Sequence, residues 1–223
     1  MSVDLIILGA GGSSREIAEM ISATVGLARE YRLVGFLDDD PSKGGKVLDG
    51  VPIVGPLAAA SQYPETCFVV GVANHRDAGS RESIVQRVGL PPDRFVTLTH
   101  PTAFVSRNAA LGEGTIIMNN AVITTGVKIG AHVLISQGAH IAHDSEVGSH
   151  SILAPRATIN GNVRIGECVY IGAAAVIAPN VVIDAGALVG IGAVVTSDVD
   201  AGCTVFGNPA RTINTGALRR WRT

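Results

Sequence analysis

Residues 141–176 read IAHDSE VGSHSI LAPRAT INGNVR IGECVY IGAAAV when the chain is cut into groups of six. Each group begins with an aliphatic residue, and its fifth residue is small or valine. The same pattern extends without an insertion from Val105 to Asp200, which makes sixteen consecutive hexads. All sixteen first positions are aliphatic, and the second position is often glycine.

A strict period of six belongs neither to an α-helix nor to an alternating β-strand, whose periods are about 3.6 and 2. It is typical of a parallel β-helix, in which three hexads form one triangular coil with the aliphatic residues stacked inside. We expect roughly five such coils, with small residues packed near the corners and the second-position glycines relieving the turns. The ends of the stack require caps, which the preceding residues and the tail from Gly207 to Thr223 can supply.

Before the hexads, short aliphatic runs alternate with helix-compatible segments, a pattern that predicts βαβ units. A strand at Leu5 to Leu8 is followed by a turn containing Gly11, Gly12 and Ser13, and then by a helix. Backbone N–H groups at the start of that helix would face a ligand above the turn, which suits phosphate. A tight connection without a ligand is the alternative interpretation of the same residues.

Polar residues follow two further predicted strands of this first domain. Asp38 and Asp39 follow the strand at 33–37, and Gly71 and Asn74 lie at and after the end of the strand at 68–72. In a doubly wound sheet, ligands bind at the carboxyl ends of the strands, although a solvated turn would also explain the acidic residues. A helix at 79–88 and a strand at 95–98 complete the domain, which we expect to end near residue 100.

The composition excludes several partners. The chain has 223 residues, 47% of them hydrophobic, and a formal net charge of −2 from 17 basic and 19 acidic residues. That balance gives no basic excess for nucleic acid or for an anionic membrane, and the first residues are too short an apolar run for a membrane span. Three widely spaced cysteines predict buried free thiols and a cytoplasmic protein.

Histidines are the unusual outward residues of the hexads, and an imidazole can take part in catalysis. His143 is followed by Asp144, and a carboxylate beside an imidazole can fix its tautomer and raise its basicity, as a general base requires. For His132, His140 and His150 we expect ordinary solvated or hydrogen-bonded side chains. No two histidines are five residues apart, which disfavours the three-histidine zinc site of some hexapeptide-repeat carbonic anhydrases. No metal is therefore expected.

The chain resembles, over nearly its whole length, the bacterial sugar acetyltransferases of the PglD/NeuD type. The motifs that carry the resemblance are LGAGGSSREIAEMI, FLDDD, GVPIVG, VVGVANHRDAGSRE, THPTA, AHIAHDSEVG, INGNVRIGECVYIGAAAVI and VFGNPAR. The resemblance implies a Rossmann-like domain at 1–100 that binds a nucleotide-linked sugar. It further implies a left-handed parallel β-helix at 101–223 that binds acetyl-CoA and carries the catalytic site, with a capping tail.

The implied activity is N-acetylation of the 4-amino group of a nucleotide-linked 4-amino-4,6-dideoxy sugar by acetyl-CoA, in a homotrimer with active sites between subunits. The family's catalytic base matches His143, and its acidic partner matches Asp144. The nucleotide-sugar contacts match Gly11, Gly12, Ser13, Asp38, Asp39, Gly71 and the loop that contains Asn74. The acetyl-CoA contacts match Gly161, Ala173 and Ile191.

Two positions depart from the family pattern. The glycine turn of the family usually reads GxxGHG, whereas Ser13 and Ser14 stand here in place of the histidine and the last glycine. A second family histidine, nine residues after the catalytic one, is Ile152 here. Two other functions remain open at this point: O-acetylation of sialic acid or another sugar hydroxyl, and a catalytically silent nucleotide-sugar-binding scaffold.

Overall fold

A computed structural model of the chain describes residues 2–75, 77 and 79–213. It contains an α/β domain followed by a stack of short parallel strands, as the sequence predicts. The α/β domain has three α-helices: α1 (Gly12–Ala23), α2 (Val25–Glu30) and α3 (Ser80–Val88). Short 3-10 helices cover Pro41–Lys43, Leu57–Gln62 and Pro92–Arg94.

The sheet of this domain has five strands: β1 (Val3–Leu8), β2 (Tyr31–Leu37), β3 (Val47–Leu48), β4 (Val51–Gly55) and β5 (Cys67–Val70). Their order is β3-β4-β2-β1-β5, and every pair is parallel except β3 with β4. The chain leaves β1 toward β2 on one side and reaches β5 on the other. Such a reversal of strand order opens a crevice at the carboxyl ends of β1 and β5.

The hexads form a parallel β-helix with three faces. The covered face contains Leu98–Thr99, Ile116–Ile117, Leu134–Ile135, Ile152–Leu153, Tyr170–Ile171, Leu188–Val189 and Thr204–Gly207, with Ala210–Thr212 antiparallel at its end. The apolar face contains Phe104–Val105, Val122–Ile123, His140–Ile141, Thr158–Ile159, Val176–Ile177 and Val194–Val195. The charged face contains Ala110–Leu111, Lys128–Ile129, Glu146–Val147, Arg164–Ile165 and Val182–Ile183.

The second residue of each two-residue strand points into the coil. Fourteen of the sixteen first-position hexad residues are buried in one continuous core, and the remaining two, Val105 and Leu111, pack against it. Burial of this much aliphatic surface, at about 25 cal/mol per Å², is the main stabilising contribution to the stack. The inward stacking predicted from the sequence is confirmed.

The second-position glycines have a different role from the predicted relief of a turn. They lack a positive φ; left-handed backbone occurs instead at the fourth position, for example at Asn120 and Asn162. A Cβ on Gly112 would lie 2.5 Å from the backbone nitrogen of Ala131 in the next coil. Glycine is therefore needed at the second position because successive coils approach closely there.

The hexad register fails once, at the last coil. Strands on one face are normally eighteen residues apart, as for Val122 and His140, but Ile183 pairs with Val199, so that the spacing contracts. Val199 thus takes an inward strand position, whereas the strict hexad pattern assigns it to a fifth position. Of the expected capping tail, residues 207–213 are described, and residues 214–223 lie outside the described part of the chain.

The predicted strand at 95–98 does not join the first sheet. Phe95 makes an isolated bridge to Phe68, whereas Leu98–Thr99 pairs with Ile116–Ile117 on the covered face. The strand predicted at 68–72 ends at Val70, although Gly71 N still donates a hydrogen bond to Leu8 O of β1 at 2.8 Å. The other predicted strands of the domain and the helix at 79–88 are confirmed to within two residues at each end.

The α/β domain packs on the covered face. Helix α1 buries Ile17 and Ile21 in a cluster that also contains Ile116, Leu134 and Ile152, the outward residues of that face. Helix α3 packs on the opposite side of the sheet through Ile84. The two parts of the chain therefore share an apolar interface, and the site residues of both are held in one body of packed side chains.

Candidate functional site

His143 lies at the corner between the apolar and charged faces, between the strands His140–Ile141 and Glu146–Val147. Asp144 follows it with a φ of 58°, the left-handed conformation that the fourth hexad position requires and that aspartate tolerates. This turn brings the carboxylate back to the preceding ring, with 2.9 Å between Nδ1 of His143 and Oδ2 of Asp144. The hexad geometry thus positions the predicted pair.

The hydrogen bond determines which ring nitrogen of His143 is available. An ionised carboxylate can only accept a hydrogen bond, so Nδ1 of His143 carries the ring proton and donates the hydrogen bond to Asp144. In the neutral ring, Nε2 then holds a free lone pair. The side chains are 57% and 62% exposed, which leaves this nitrogen accessible to a substrate. The arrangement is suited to removing a proton from a bound nucleophile.

Glycines of the neighbouring coils make room for the pair. A Cβ on Gly161, one coil above, would lie 2.7 Å from both Cε1 and Nε2 of His143. A Cβ on Gly126, one coil below, would overlap Oδ1 of Asp144. Gly161, predicted from the resemblance as an acetyl-CoA contact, therefore also borders the nitrogen that would accept the proton.

The other two predicted acetyl-CoA contacts lie on a different corner. Ala173 and Ile191 are on successive coils between the covered and apolar faces, where they line a groove of about 220 Å³ with His75, Tyr170 and Phe206. Ile191 is 66% exposed. The structure brings Ala173 and Ile191 together, but within one chain it does not bring them to Gly161, because the apolar face separates the two corners.

The predicted nucleotide-sugar residues surround the carboxyl ends of β1, β2 and β5. A cavity of about 290 Å³ lies there, lined by residues that include Gly9, Asp38 and Asp39. Gly11 and Gly12 are exposed and Ser13 is half-buried at the start of α1, beside this edge of the sheet. Gly71 follows β5, and Asn74 is half-buried in the loop after it.

The two aspartates are bonded within the protein, so a purely solvated turn does not describe them. Asp38 Oδ2 accepts hydrogen bonds from Ala10 N at 2.7 Å and from Lys43 Nζ at 3.0 Å. Burial raises the pKa of Asp38, but the hydrogen bonds from Asp40 N, Lys43 and Ala10 N outweigh it and lower the pKa below its ordinary value. Asp39 accepts from Leu57 N at 2.9 Å and pairs with Arg87.

Gly71 is fixed by a close approach of the first helix. A Cβ at this position would overlap Oγ of Ser14 and lie 2.6 Å from Cγ2 of Ile7. Ser14 is fully buried between the ends of β1 and β5, and its hydroxyl has no hydrogen-bond partner among the described residues. Ser14, which stands in place of the last glycine of the family pattern, thus fills the floor of the crevice.

Two histidines are less solvated than expected. His132 is 5% exposed, its ring lies edge-on to Phe95 at 4.6 Å between centroids, and it stacks on His150 at 5.2 Å. Burial, with nearby His150 and Arg81, lowers the pKa of His132 to about 4. Burial also lowers the pKa of His150. His132 is therefore a side chain buried at the domain junction, and the expectation of a solvated side chain is wrong for it.

Both parts of the chain are similar to known proteins. Residues 4–88 match the family described as the PglD N-terminal domain, and residues 126–161 match six repeats of the bacterial transferase hexapeptide. UDP-N-acetylbacillosamine N-acetyltransferase of Bacillus subtilis is 36% identical over 121 residues, 52% of this chain and 51% of the relative. The match thus spans about half the length of that curated relative.

Solved structures of acetyltransferases match nearly the whole chain. The acetyltransferase domain of PglB from Neisseria gonorrhoeae, in complex with acetyl coenzyme A, is 30% identical with a TM-score of 0.83, covering 96% of this chain and 100% of that one. The chain belongs to the PglD-type acetyltransferase family. PerB from Caulobacter crescentus, in complex with CoA and GDP-perosamine, is 28% identical with a TM-score of 0.81, covering 95% and 97%.

Membership of the PglD-type family confirms the resemblance, the fold class and the assignment to the acyltransferases, with acetyl-CoA as the family's cosubstrate. Among residues 2–75, 77 and 79–213, no group of three or more histidine, cysteine and acidic side chains could hold a metal ion. Within the same residues, no helix is both long and apolar enough to cross a bilayer.

Three residues that line the candidate nucleotide-sugar cavity were not predicted from the sequence. Ser80, Ser83 and Arg87 of α3 line the 290 Å³ cavity opposite Asp38 and Asp39. Their spacing of three and four residues places them on one face of a helix. The polar face of the helix predicted at 79–88 could have indicated these residues. That face points to a ligand only when α3 is known to border the cavity.

Proposed function

We propose that this chain transfers the acetyl group of acetyl-CoA to the 4-amino group of a nucleotide-linked 4-amino-4,6-dideoxy sugar. The names of its relatives support the N-acetyl class: the Bacillus relative is a UDP-N-acetylbacillosamine N-acetyltransferase, and the Caulobacter structure contains CoA and GDP-perosamine. The cavity at the ends of β1, β2 and β5 takes the nucleotide portion. Three free cysteines fit the reducing cytoplasm, which we propose as the compartment.

The hydrogen bond between His143 and Asp144 is the observation that carries the mechanism. The amine nitrogen attacks the thioester carbonyl carbon, a C–N bond forms, and Nε2 of His143 takes the amine proton. Collapse of the tetrahedral intermediate breaks the C–S bond, and the proton passes from the imidazolium to the departing CoA thiolate. Asp144 stabilises the imidazolium while it exists, and a nearby backbone N–H stabilises the oxyanion.

Direct transfer is favoured over an acyl-enzyme. Cys168 donates a hydrogen bond to Oε2 of Glu82 at 3.5 Å. Burial and the adjacent Glu82 raise the pKa of Cys168 to about 11, so its thiolate is scarce at neutral pH. Its corner, between the charged and covered faces, is also not the corner that carries His143.

We further propose a homotrimer with active sites between subunits, and the positions of the acetyl-CoA candidates support it. Ala173 and Ile191 lie at one edge of the apolar face and Gly161 at the other, so one cosubstrate meets all three when the corners come from two chains. The apolar face suits such contact. Phe104 on this face is 60% exposed, whereas the charged face carries the Lys128–Glu146 ion pair.

The test is release of CoA thiol from acetyl-CoA by the purified protein with UDP-, GDP- and dTDP-linked 4-amino-4,6-dideoxy sugars, and with free sialic acid. His143→Ala is assayed beside wild type, and His100→Gln, a histidine of the first coil, serves as a control. Turnover on an amino sugar that falls by about 10²- to 10⁴-fold in His143→Ala supports the proposal. Turnover on sialic acid alone would assign O-acetylation instead, and the absence of both turnover and acetyl-CoA binding would indicate a silent scaffold.

A further inference from the structure

Arg81 is the largest fully buried side chain of the described residues. It lies in the first turn of α3, and its guanidinium bonds three backbone carbonyls. Nε donates to His132 O at 2.8 Å, and Nη1 donates to Val70 O at 2.9 Å and to Val72 O at 2.7 Å. His132 belongs to the β-helix, whereas the other two acceptors belong to the α/β domain. One side chain therefore joins the two parts of the chain.

This placement is energetically costly. Arg81 has no ion pair with a carboxylate among the described residues, and its Nη2 has no hydrogen-bond partner there. Burial lowers its pKa to about 9, so the group is still charged at neutral pH. A leucine or methionine would fill the space without burying a charge. Arginine, unlike these residues, donates hydrogen bonds to carbonyls in both parts of the chain.

Two of the carbonyls that Arg81 holds, Val70 O and Val72 O, belong to the proposed nucleotide-sugar crevice. Val70 and Val72 flank Gly71, which is packed from the other side by Ser14 and Ile7. The same helix presents Ser80 and Ser83 to the 290 Å³ cavity. Both the floor of the crevice and one of its walls are thus tied through one guanidinium to the β-helix.

We propose that Arg81 is a positioning residue that fixes the nucleotide-sugar crevice relative to the β-helix that carries His143. The inference rests on the proposed function, because it concerns where the bound sugar presents its amine. Arg81 is fully buried and touches neither expected substrate. Its loss removes no side chain from either binding surface but changes their relative position, and a misplacement of about 1 Å can cost 10²-fold in rate.

Arg81→Lys is the variant that tests this role. Lysine keeps the charge, but its compact ammonium cannot reproduce the planar fork that reaches acceptors in both parts of the chain. Arg94→Lys is the matched control, because Arg94 also bonds carbonyls, Tyr63 O and Thr66 O, yet these lie within the α/β domain. For Arg81→Lys we expect kcat on the nucleotide-linked amino sugar to fall about 10- to 100-fold, with unchanged acetyl-CoA affinity.

A second acceptor separates positioning from damage to the catalytic corner. The same amino sugar without its nucleotide is not held by the crevice, so its slow acetylation should be equal in Arg81→Lys, Arg94→Lys and wild type. Equal losses on both acceptors would overturn the proposal, since they would indicate a general structural defect. Unchanged turnover on the nucleotide-linked sugar in Arg81→Lys would overturn it as well.

Amide hydrogen exchange provides a readout that does not depend on the reaction. We expect exchange in segments 67–72 and 130–134 to be faster in Arg81→Lys than in Arg94→Lys and wild type. Unchanged exchange would overturn the proposal even if the wild-type protein acetylates none of the sugars tested. If Arg81→Lys does not fold, Phe95→Leu tests the same junction, because Phe95 packs on the ring of His132, and a smaller change of the same pattern is expected.

Discussion

Nδ1 of His143 lies 2.9 Å from Oδ2 of Asp144, its neighbour along the chain. Asp144→Asn preserves the size of this partner but removes its charge, so the imidazolium formed during transfer loses its stabilising anion. The amide can also favour the wrong tautomer, as documented for other histidine–carboxylate pairs. We expect kcat to fall, by less than the about 10²- to 10⁴-fold expected for removal of the base. An unchanged kcat would show that the carboxylate has no part in the reaction.

Gly161→Ala should impair the reaction with little effect on stability. The added methyl group would lie 2.7 Å from Nε2 of His143, so the exposed ring must shift from its position. Gly26→Ala is the control, since a Cβ there meets nothing within 4 Å and the position is helical. We expect a clear loss of kcat for the first variant and wild-type kcat for the second, with thermal melting to compare their stabilities.

The close approach of successive coils predicts which glycines matter for stability. A methyl group on Gly148 would overlap the backbone of Gly166 in the next coil, where nothing flexible can yield. On Gly202 it would meet open space, at a φ of +68°, so that only about 1 kcal/mol of backbone strain is expected. Urea unfolding should therefore show a larger loss for Gly148→Ala than for Gly202→Ala, and the reverse order would contradict the packing argument.

His132 predicts a loss of stability in mild acid. An unfolded histidine has a pKa near about 6.5, whereas burial, with nearby His150 and Arg81, lowers the pKa of His132 to about 4. Between these values the unfolded chain binds more protons, so the free energy of unfolding falls as the pH falls from about 6.5 to about 4. The full free energy of unfolding is present above a pH of about 6.5. Its loss reaches up to about 3 kcal/mol below a pH of about 4.

His132→Asn tests this dependence, because asparagine tolerates the φ of 56° found at this position. Its urea midpoint should vary less between pH 4 and pH 6.5 than that of the wild type. His100→Gln, in the first coil, should keep the wild-type slope. Parallel slopes for all three proteins would mean that another group titrates in this range.

The proposed trimer predicts that a charge on the apolar face weakens assembly. Val176 is an outward, half-buried residue of that face, and Val176→Asp would bury an unpaired carboxylate between chains. Ala110→Asp places the same charge on the charged face, beside Lys128 in the strand register, and should leave assembly unchanged. Sedimentation equilibrium should give a lower mass for the first variant alone, and equal masses would argue against this face as the contact.

The β-helix could be predicted almost completely because its period is local and repeats sixteen times. Each hexad independently specifies an inward aliphatic residue, so one irregular residue does not obscure the pattern. The contraction before Val199 could not be predicted from the sequence, because valine fits both the first and the fifth position of a hexad. The contact between His143 and Asp144 could also be predicted, since the two residues are adjacent in the sequence.

Relationships between distant segments could not be predicted in this way. Arg81 reads as an ordinary charged residue near the start of a helix, and its burial depends on how the α/β domain docks against the corner at His132. The same docking buries His132, which the sequence presents as one more polar residue at an outward position. Packing between parts of the chain decided both outcomes, and neither part alone contains that information.

Strands on each face recur every eighteen residues, as at Val122, His140 and Thr158. Apart from a local contraction such as the one before Val199, such a chain keeps every later strand on its own face only when its length within the stack changes by whole coils. The proposed catalytic corner uses two adjacent coils, those of His143 and Gly161, and the acetyl-CoA candidates Ala173 and Ile191 lie on later coils. Whole coils can therefore be gained or lost outside the span from His143 to Ile191, and the height of the β-helix then changes while these residues keep their relative positions.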